Sequence, residues 1–290
     1  VAEFVAAHRP QQVLCVGRPT VFRQVQQLLS DAHVDVLLVE QPIPANPGHN
    51  GRVTGGELGE PLTKGDPDWL ADWQRADAAA TEALHAVLAD AHWRSGMNVA
   101  AEVLDALPSG AALTVGSSNP TRDIALAAHS RPDILVHRNR GVSGIDGTVS
   151  TAAGVTIGSG RRGYALLGDL TFLHDVNGLL IGADEDRPEL TIVVLNDDGG
   201  GIFSLLEQAA PEHSASFQRL FGTPHGARIG SLCAGYGVPH TLARSRAELR
   251  ESLRQPGGGL RVVEVQTTRD DLAGLHERAR AAVTEAVRVH

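Results

Sequence analysis

The strongest constraint in this sequence is a series of short, almost wholly apolar runs, each separated from the next by enough chain for a helix. Leu113 to Val115, Ile134 to Val136, Tyr164 to Leu167, Thr191 to Leu195 and Val262 to Val265 recur in this way. Strands without polar alternation are buried on both faces, and strands separated by helices pair in parallel. The sequence therefore predicts an α/β fold, a parallel sheet flanked by helices. A smaller version of the pattern comes first: Val13 to Val16, a helix-like Val21 to Leu29, and Val34 to Val39. That spacing suits a βαβ unit. From Gln41 to Gly65 the chain is rich in Pro, Gly and Asn and reads as a long irregular connection.

Asp66-Pro67-Asp68 offers a helix start, with a capping side chain before a proline in the first turn. Trp69, Trp73, Ala76, Ala80, Leu84 and Leu88 then follow at helical spacing, and the tryptophans are assigned to packing. The expected organisation is a partial, smaller α/β domain over 1–66, a connecting helix over 67–98, and a larger domain over 99–290. A helix over Asp270 to Val289 closes the chain.

A chain of 290 residues with 42% hydrophobic and 20% charged side chains can bury one large core or two smaller ones. A net charge of −9 argues against nonspecific adhesion to nucleic acid or acidic membrane, while local basic pockets for small anions remain open. Cys15 and Cys233 lie far apart, near apolar runs. They read as buried free thiols of a reducing, cytoplasmic compartment rather than a disulfide or metal pair. No apolar run approaches the roughly 18 residues of a membrane span, and no signal peptide opens the chain. The sequence begins at Val1 inside a helix-like stretch, so a processed, truncated or partial chain is expected.

Chemistry concentrates at two strand ends. The run Leu166-Leu167 ends in Gly168-Asp169-Leu170, before a helix-like stretch from Thr171 to Ile181. The run Ile192 to Leu195 ends in Asn196-Asp197-Asp198 and three glycines, Gly199, Gly200 and Gly201. Roughly 30 residues separate the motifs, room for one helix and one strand, so the two ends can lie side by side. Ligands of open α/β sheets bind beyond the carboxyl ends of strands, and a helix starting there presents N–H groups to an anion. Mg²⁺ takes an octahedron of oxygens, commonly one or two carboxylates plus substrate phosphates. A side chain from each strand end and a carbonyl from the glycine stretch would meet that need. Neither a nucleotide-kinase phosphate loop nor a dinucleotide glycine fingerprint is present, so a diphosphate held through a metal is the better reading.

A Gly-Asp motif, then about 30 residues, then an Asn-type motif resembles the thiamine-diphosphate enzymes. The strings Gly168-Asp-Leu-Thr-Phe-Leu-His-Asp175, Asn196-Asp-Asp-Gly-Gly-Gly-Ile-Phe-Ser-Leu-Leu206 and Asn139-Arg-Gly-Val-Ser-Gly-Ile-Asp146 resemble, more narrowly, the 2-succinyl-5-enolpyruvyl-6-hydroxy-3-cyclohexene-1-carboxylate synthases of menaquinone biosynthesis. The likeness is strongest from Val99 to Phe221. Leu170 and Asp197 depart from the wider superfamily, which has a second Gly and a second Asn there. Asp is an acceptable and more negative Mg²⁺ ligand.

The resemblance implies a thiamine-diphosphate-binding fold with thiamine diphosphate and Mg²⁺ (or Mn²⁺) as cofactors. It implies metal ligation by Asp169, Asp197 and the Gly199 carbonyl, with Asn196 in reserve. Gly168, Leu170, Gly200 and Gly201 line the cofactor. Ile145 props it, and Ile202, Phe203 and Leu206 wall the pocket. Ser118, Arg122 and Arg140 follow predicted strands on the same edge and match positions that bind substrate carboxylates, a task suited to guanidinium. His174 and Asp175 are assigned to packing and capping rather than acid–base work, and Arg18 to pinning its loop. The implied reaction decarboxylates 2-oxoglutarate and adds the product to isochorismate, in a homodimer or homotetramer. It also needs a glutamate from an upstream pyrimidine domain, which no segment here matches, so the chain alone is expected to be inactive. Alternatives are an acetolactate-synthase-like enzyme and a noncatalytic cofactor-binding module.

Overall fold

The computed structural model describes residues 1–16, 21–39, 52–54 (backbone only), 65–127, 129–139, 143–255 and 257–288. Arg18 and Arg140 lie outside the described residues. The chain divides into two compact units, Val1–Leu84 with Arg280–His290, and His85–Ala279.

The smaller unit carries α1 (Ala2–Ala7), β1 (Gln12–Cys15), α2 (Arg23–Leu29), β2 (Asp35–Val39), β3 (Arg52–Thr54) and most of α3 (Pro67–Asp90). Its three strands pair in parallel in the order β1-β2-β3. Strand β3 falls in the stretch read from sequence as irregular connection, and three residues are too few to show periodicity. Cys15, Leu29, Val34, Val36 and Leu38 form one core, and Cys15 is a buried free thiol. Asp66 Oδ1 accepts from the Asp68 N–H at 2.9 Å, the expected cap of α3. Both tryptophan indoles donate to the His8 carbonyl, at 3.0 and 3.2 Å, and Trp73 packs on Phe4, so both serve packing.

The larger unit runs α4 (Gly96–Ala106), β4 (Ala112–Val115), α5 (Asn119–Ala127), β5 (Leu135–His137), α6 (Thr148–Ser159), β6 (Gly163–Gly168), α7 (Asp169–His174) and β7 (Leu190–Asn196). It continues through α8 (Ser214–Phe217), α9 (Ile229–Gly235), β8 (His240–Leu242), α10 (Arg246–Arg254), β9 (Arg261–Gln266) and α11 (Leu272–Arg288), whose end belongs to the smaller unit. The six strands are all parallel, in the order β5-β4-β6-β7-β9-β8. Neighbouring residues of one strand enter opposite cores. Leu166, Val193 and Val263 join Val99, Val103 and Leu249 on one face, while Ala165, Leu167, Ile192 and Val194 join Phe172 and Ile229 on the other. That double burial is why the strands read as unbroken apolar runs.

The structure corrects the sequence reading in two further places. Strand β8, a half-polar His-Thr-Leu at the sheet edge, has no apolar run to announce it. The helix after Gly168 is six residues, not a run to Ile181, and a 3-10 turn over Val176–Leu179 follows it. The chain leaves helical geometry at Asp175, whose carboxylate accepts from Ser150 N–H at 2.7 Å and from its hydroxyl at 3.2 Å. Asp175 thereby caps the first turn of α6. So short a helix has little macrodipole to offer an anion.

Candidate functional site

Strands β6 and β7 are direct neighbours, with Gly168 in register with Leu195. This register brings Asp169 and Asn196-Asp197 to one rim of the sheet, beyond its carboxyl edge. The strand order reverses direction between β4 and β6, so this rim is also the crevice where open α/β sheets take ligands.

Asp169 is 2% exposed. Its Oδ1 accepts from Leu170 N–H at 2.6 Å, and its Oδ2 from Gly199 N–H at 2.9 Å and from His225 Nε2 at 3.1 Å. The Asp197 carboxyl is pushed up to about 7, first by burial and then by the charge of Asp169, with Arg269 acting against both. A carboxyl raised by burial and by a neighbouring carboxylate is a donor that a divalent cation would relieve.

Asn196 serves differently. Its Nδ2 donates to Glu264 Oε1 on β9 at 2.7 Å, and its Oδ1 accepts from Asp198 N–H at 3.1 Å. Both ends of the amide brace the turn, and the main ionic opportunity falls to Asp197. Burial pushes Glu264 up, but hydrogen bonds from His240 and Asn196 hold its carboxyl below its ordinary value.

The glycines after Asp198 allow close backbone approach. Gly199 has φ +136°, and a Cβ there would stand 2.0 Å from the Gly222 carbonyl; at Gly201 it would meet the Asp197 carboxylate at 2.0 Å. The Gly199 carbonyl accepts from Gly201 N–H at 3.1 Å and retains a second lone pair. Gly200 is buried against the same segment. Gly168 is the opposite case. Its φ is −76° and no atom lies within 4 Å of where a Cβ would stand, so the protein's own packing does not require glycine. That space beside Asp169 is a cradle a diphosphate could fill. Among the described residues no group of three or more His, Cys, Asp or Glu side chains could hold a metal alone. Two carboxylates and a carbonyl, completed by phosphate oxygens, need no such group, and the residues present fit a diphosphate-bound cation.

Beyond β4, Ser118 has φ 74°, and its carbonyl accepts from Arg122 Nη1 at 2.9 Å. The Ser117 hydroxyl donates to the Gly144 carbonyl at 3.3 Å, tying this loop to the one after β5. The non-glycine residues with left-handed backbones among those described are Ser118, Ser143, Asp198 and Thr223. All lie in connections that follow the carboxyl ends of β4, β5 and β7. Strain of this kind gathers at sites where geometry is over-determined. Asp123, on α5 beside Arg122, is 2% exposed and pushed up to about 7 by burial, with Arg122 opposing and the Asp197 charge adding. Asp123 therefore feels both the Arg122 guanidinium and the Asp197 carboxylate.

Leu170, Ile145, Ile202, Phe203 and Leu206 are half-buried, and the Phe203 ring lies 5.4 Å from that of Phe221. His174 stands 3.6 Å from Asp146 with both side chains exposed, away from the Asp175 cap. Sequence reading missed His225, Arg269 and Asp123. The first two reach the rim from distant loops that no motif marks. Asp123 follows Arg122 on a helix, where a charge ordinarily faces water; only its burial distinguishes it.

No protein-family model matches the chain. Among solved structures, a benzoylformate decarboxylase from Polynucleobacter necessarius superposes with a TM-score of 0.56 at 16% identity, over 90% of this chain and 50% of that one. The fold is that of the thiamine-diphosphate enzymes. A 2-succinyl-5-enolpyruvyl-6-hydroxy-3-cyclohexene-1-carboxylate synthase from Saccharopolyspora erythraea is 60% identical over 288 residues, 98% of this chain and 51% of its own length. Synthases of the same name from Nocardia farcinica and Paenarthrobacter aurescens are 48% and 44% identical, over 94% and 96% of this chain and 50% of their own length. The chain belongs to this synthase family and spans about half the length of these relatives.

Proposed function

We propose that this chain is the diphosphate- and metal-binding portion of a synthase that decarboxylates 2-oxoglutarate and joins the product to isochorismate. The observation that carries the reading is the placement of Asp169 and Asp197 just beyond adjacent strand ends, where the charge of Asp169 adds to burial in raising the Asp197 carboxyl. Asp169, Asp197 and the Gly199 carbonyl would hold Mg²⁺ (or Mn²⁺), and Gly168, Gly200 and Gly201 would admit the diphosphate. Thiamine diphosphate, when bound, supplies carbanion stabilisation. Every other task falls to protein side chains. Arg122 and Arg140 orient substrate carboxylates, and Ser118 shapes the loop that presents Arg122. Ile145, Ile202, Phe203 and Leu206 exclude water and wall the cofactor. A glutamate-bearing pyrimidine domain and a second subunit complete the active site, so the chain alone is inactive and the whole protein is a homo-oligomer.

Calorimetry of thiamine diphosphate binding to the complete protein, with and without Mg²⁺, tests the reading; binding that ignores the metal would overturn it. Turnover of 2-oxoglutarate against pyruvate tests the substrate assignment, and a preference for pyruvate would make the protein acetolactate-synthase-like.

A further inference from the structure

His225 approaches Asp169 from a connection 56 residues further along the chain, and the sequence gives no hint of the meeting. Its ring is 14% exposed, and the Asp169 side chain 3%. Ala227 N–H donates to Nδ1 at 2.9 Å, which leaves the ring proton of a neutral imidazole on Nε2. Nε2–H then donates to Asp169 Oδ2. The loop that carries the ring is itself fastened. Asp198 Oδ1 accepts from His225 N–H at 3.1 Å and from Gly226 N–H at 2.8 Å, and Gly200 N–H donates to the Gly222 carbonyl at 2.9 Å.

We propose that His225 is a positioning residue for the metal site, fixing the rotation of the Asp169 carboxylate through Nε2–H. Oδ2 accepts from Gly199 and His225, which uses its two lone pairs. Oδ1 accepts only from Leu170 among the bonds described, and so keeps a lone pair for a cation. With both ring nitrogens engaged, His225 is not itself a ligand in this arrangement. Ligating carboxylates are commonly oriented by such outer partners, whose loss weakens metal affinity about 10- to 100-fold. The inference rests on the reading of Asp169 as a metal ligand.

The test is a Mn²⁺ titration of the complete protein with thiamine diphosphate present, followed by electron paramagnetic resonance, on the unmodified protein, His225→Leu, His225→Gln and Asp169→Asn. His225→Leu should weaken Mn²⁺ binding about 10- to 100-fold. His225→Gln, whose amide N–H can reach the place of Nε2–H, should restore most of it. Unaltered affinity in His225→Leu, beside a clear loss in Asp169→Asn, would overturn the positioning role and leave the site standing. Equal losses in both His225 variants, with matching falls in thermal stability, would reassign the ring to packing. Unaltered affinity in Asp169→Asn, or no Mn²⁺ binding by the unmodified protein, would sink the site reading and this inference with it.

Discussion

Beyond β6 and β7 the rim is acidic and knitted by hydrogen bonds; beyond β4 it carries Arg122 in the first turn of α5, beside the left-handed backbone of Ser118. Asp169 and Asp198 engage partners in other connections, Asn196 engages Glu264 on β9, and every glycine between Asp198 and Ile202 lies close against another group. Arg122 donates within its own turn, to the carbonyl of Ser118, whose backbone is left-handed. A cation site needs oxygens held at fixed radius, because the metal tolerates little misplacement. A carboxylate clamp can close on its ligand, since guanidinium finds a carboxylate over a wider range of approach. Under the proposed function the acidic side would hold the cation and the arginine side a substrate carboxylate.

The contrast can be broken from either side. The largest effect is expected for Asp169→Ala, which should weaken metal-dependent cofactor binding by about 100-fold or more in calorimetry, since it removes a ligand and strips Gly199 N–H and His225 of their acceptor. Cofactor affinity equal to the unmodified protein's would remove the acidic side of the comparison.

Asp123 lies where the two sides meet and gives the next effect. Its carboxyl titrates near 7 when folded against 3.8 ordinarily, chiefly through burial. Between about pH 4 and 7 the folded protein keeps a proton that the unfolded chain has lost, so stability falls as pH rises through that window. The full swing is on the order of 4 kcal/mol at about 1.4 kcal/mol per unit. Asp197 shifts in the same direction, so in metal-free buffer Asp123→Asn should remove roughly half of the slope of denaturant stability against pH. An unchanged slope would show that Asp123 is ionised in the fold.

Arg122→Ala should raise KM for the 2-oxo acid about 10- to 100-fold, the loss of a charge-assisted pair, and leave Mn²⁺ affinity within about threefold. A matching fall in metal affinity would mean that the two sides are one site. The smallest effect is expected for Ser118→Gly. Releasing a left-handed non-glycine backbone should stabilise the protein by about 1 kcal/mol while loosening the Arg122 turn. Thermal melting and KM measured together would detect that trade, and a loss of stability would show that Ser118 is not strained.

How far the sequence could carry these conclusions depended on where each signal lay. Strands β6 and β7 were plain because both faces are buried, so nearly every residue is apolar, and their ends could be placed within a residue. The acidic motifs were legible for the same reason, being the first polar residues after such runs. Strands β3 and β8 were not, because three residues carry no period. The length of α7 depended on a carboxylate leaving to cap another helix, a tertiary event no local pattern encodes. His225, Arg269 and Asp123 acquire their roles only from burial and from neighbours brought in by the fold. Asn196 shows the limit most clearly: its residue type suits a ligand, and only the contact with Glu264 turns it toward bracing.

The carboxylate of Asp198 ties the turn after β7 to the peptide of His225 and Gly226, while Gly200 N–H ties it back at Gly222. Neither loop can therefore peel away without breaking the other's bonds. These bonds couple the two stretches, so an excursion that freed the 222–227 segment would also dismantle the glycine turn. Under the proposed function, release of the diphosphate through this loop would therefore wait on one shared opening rather than on two independent ones.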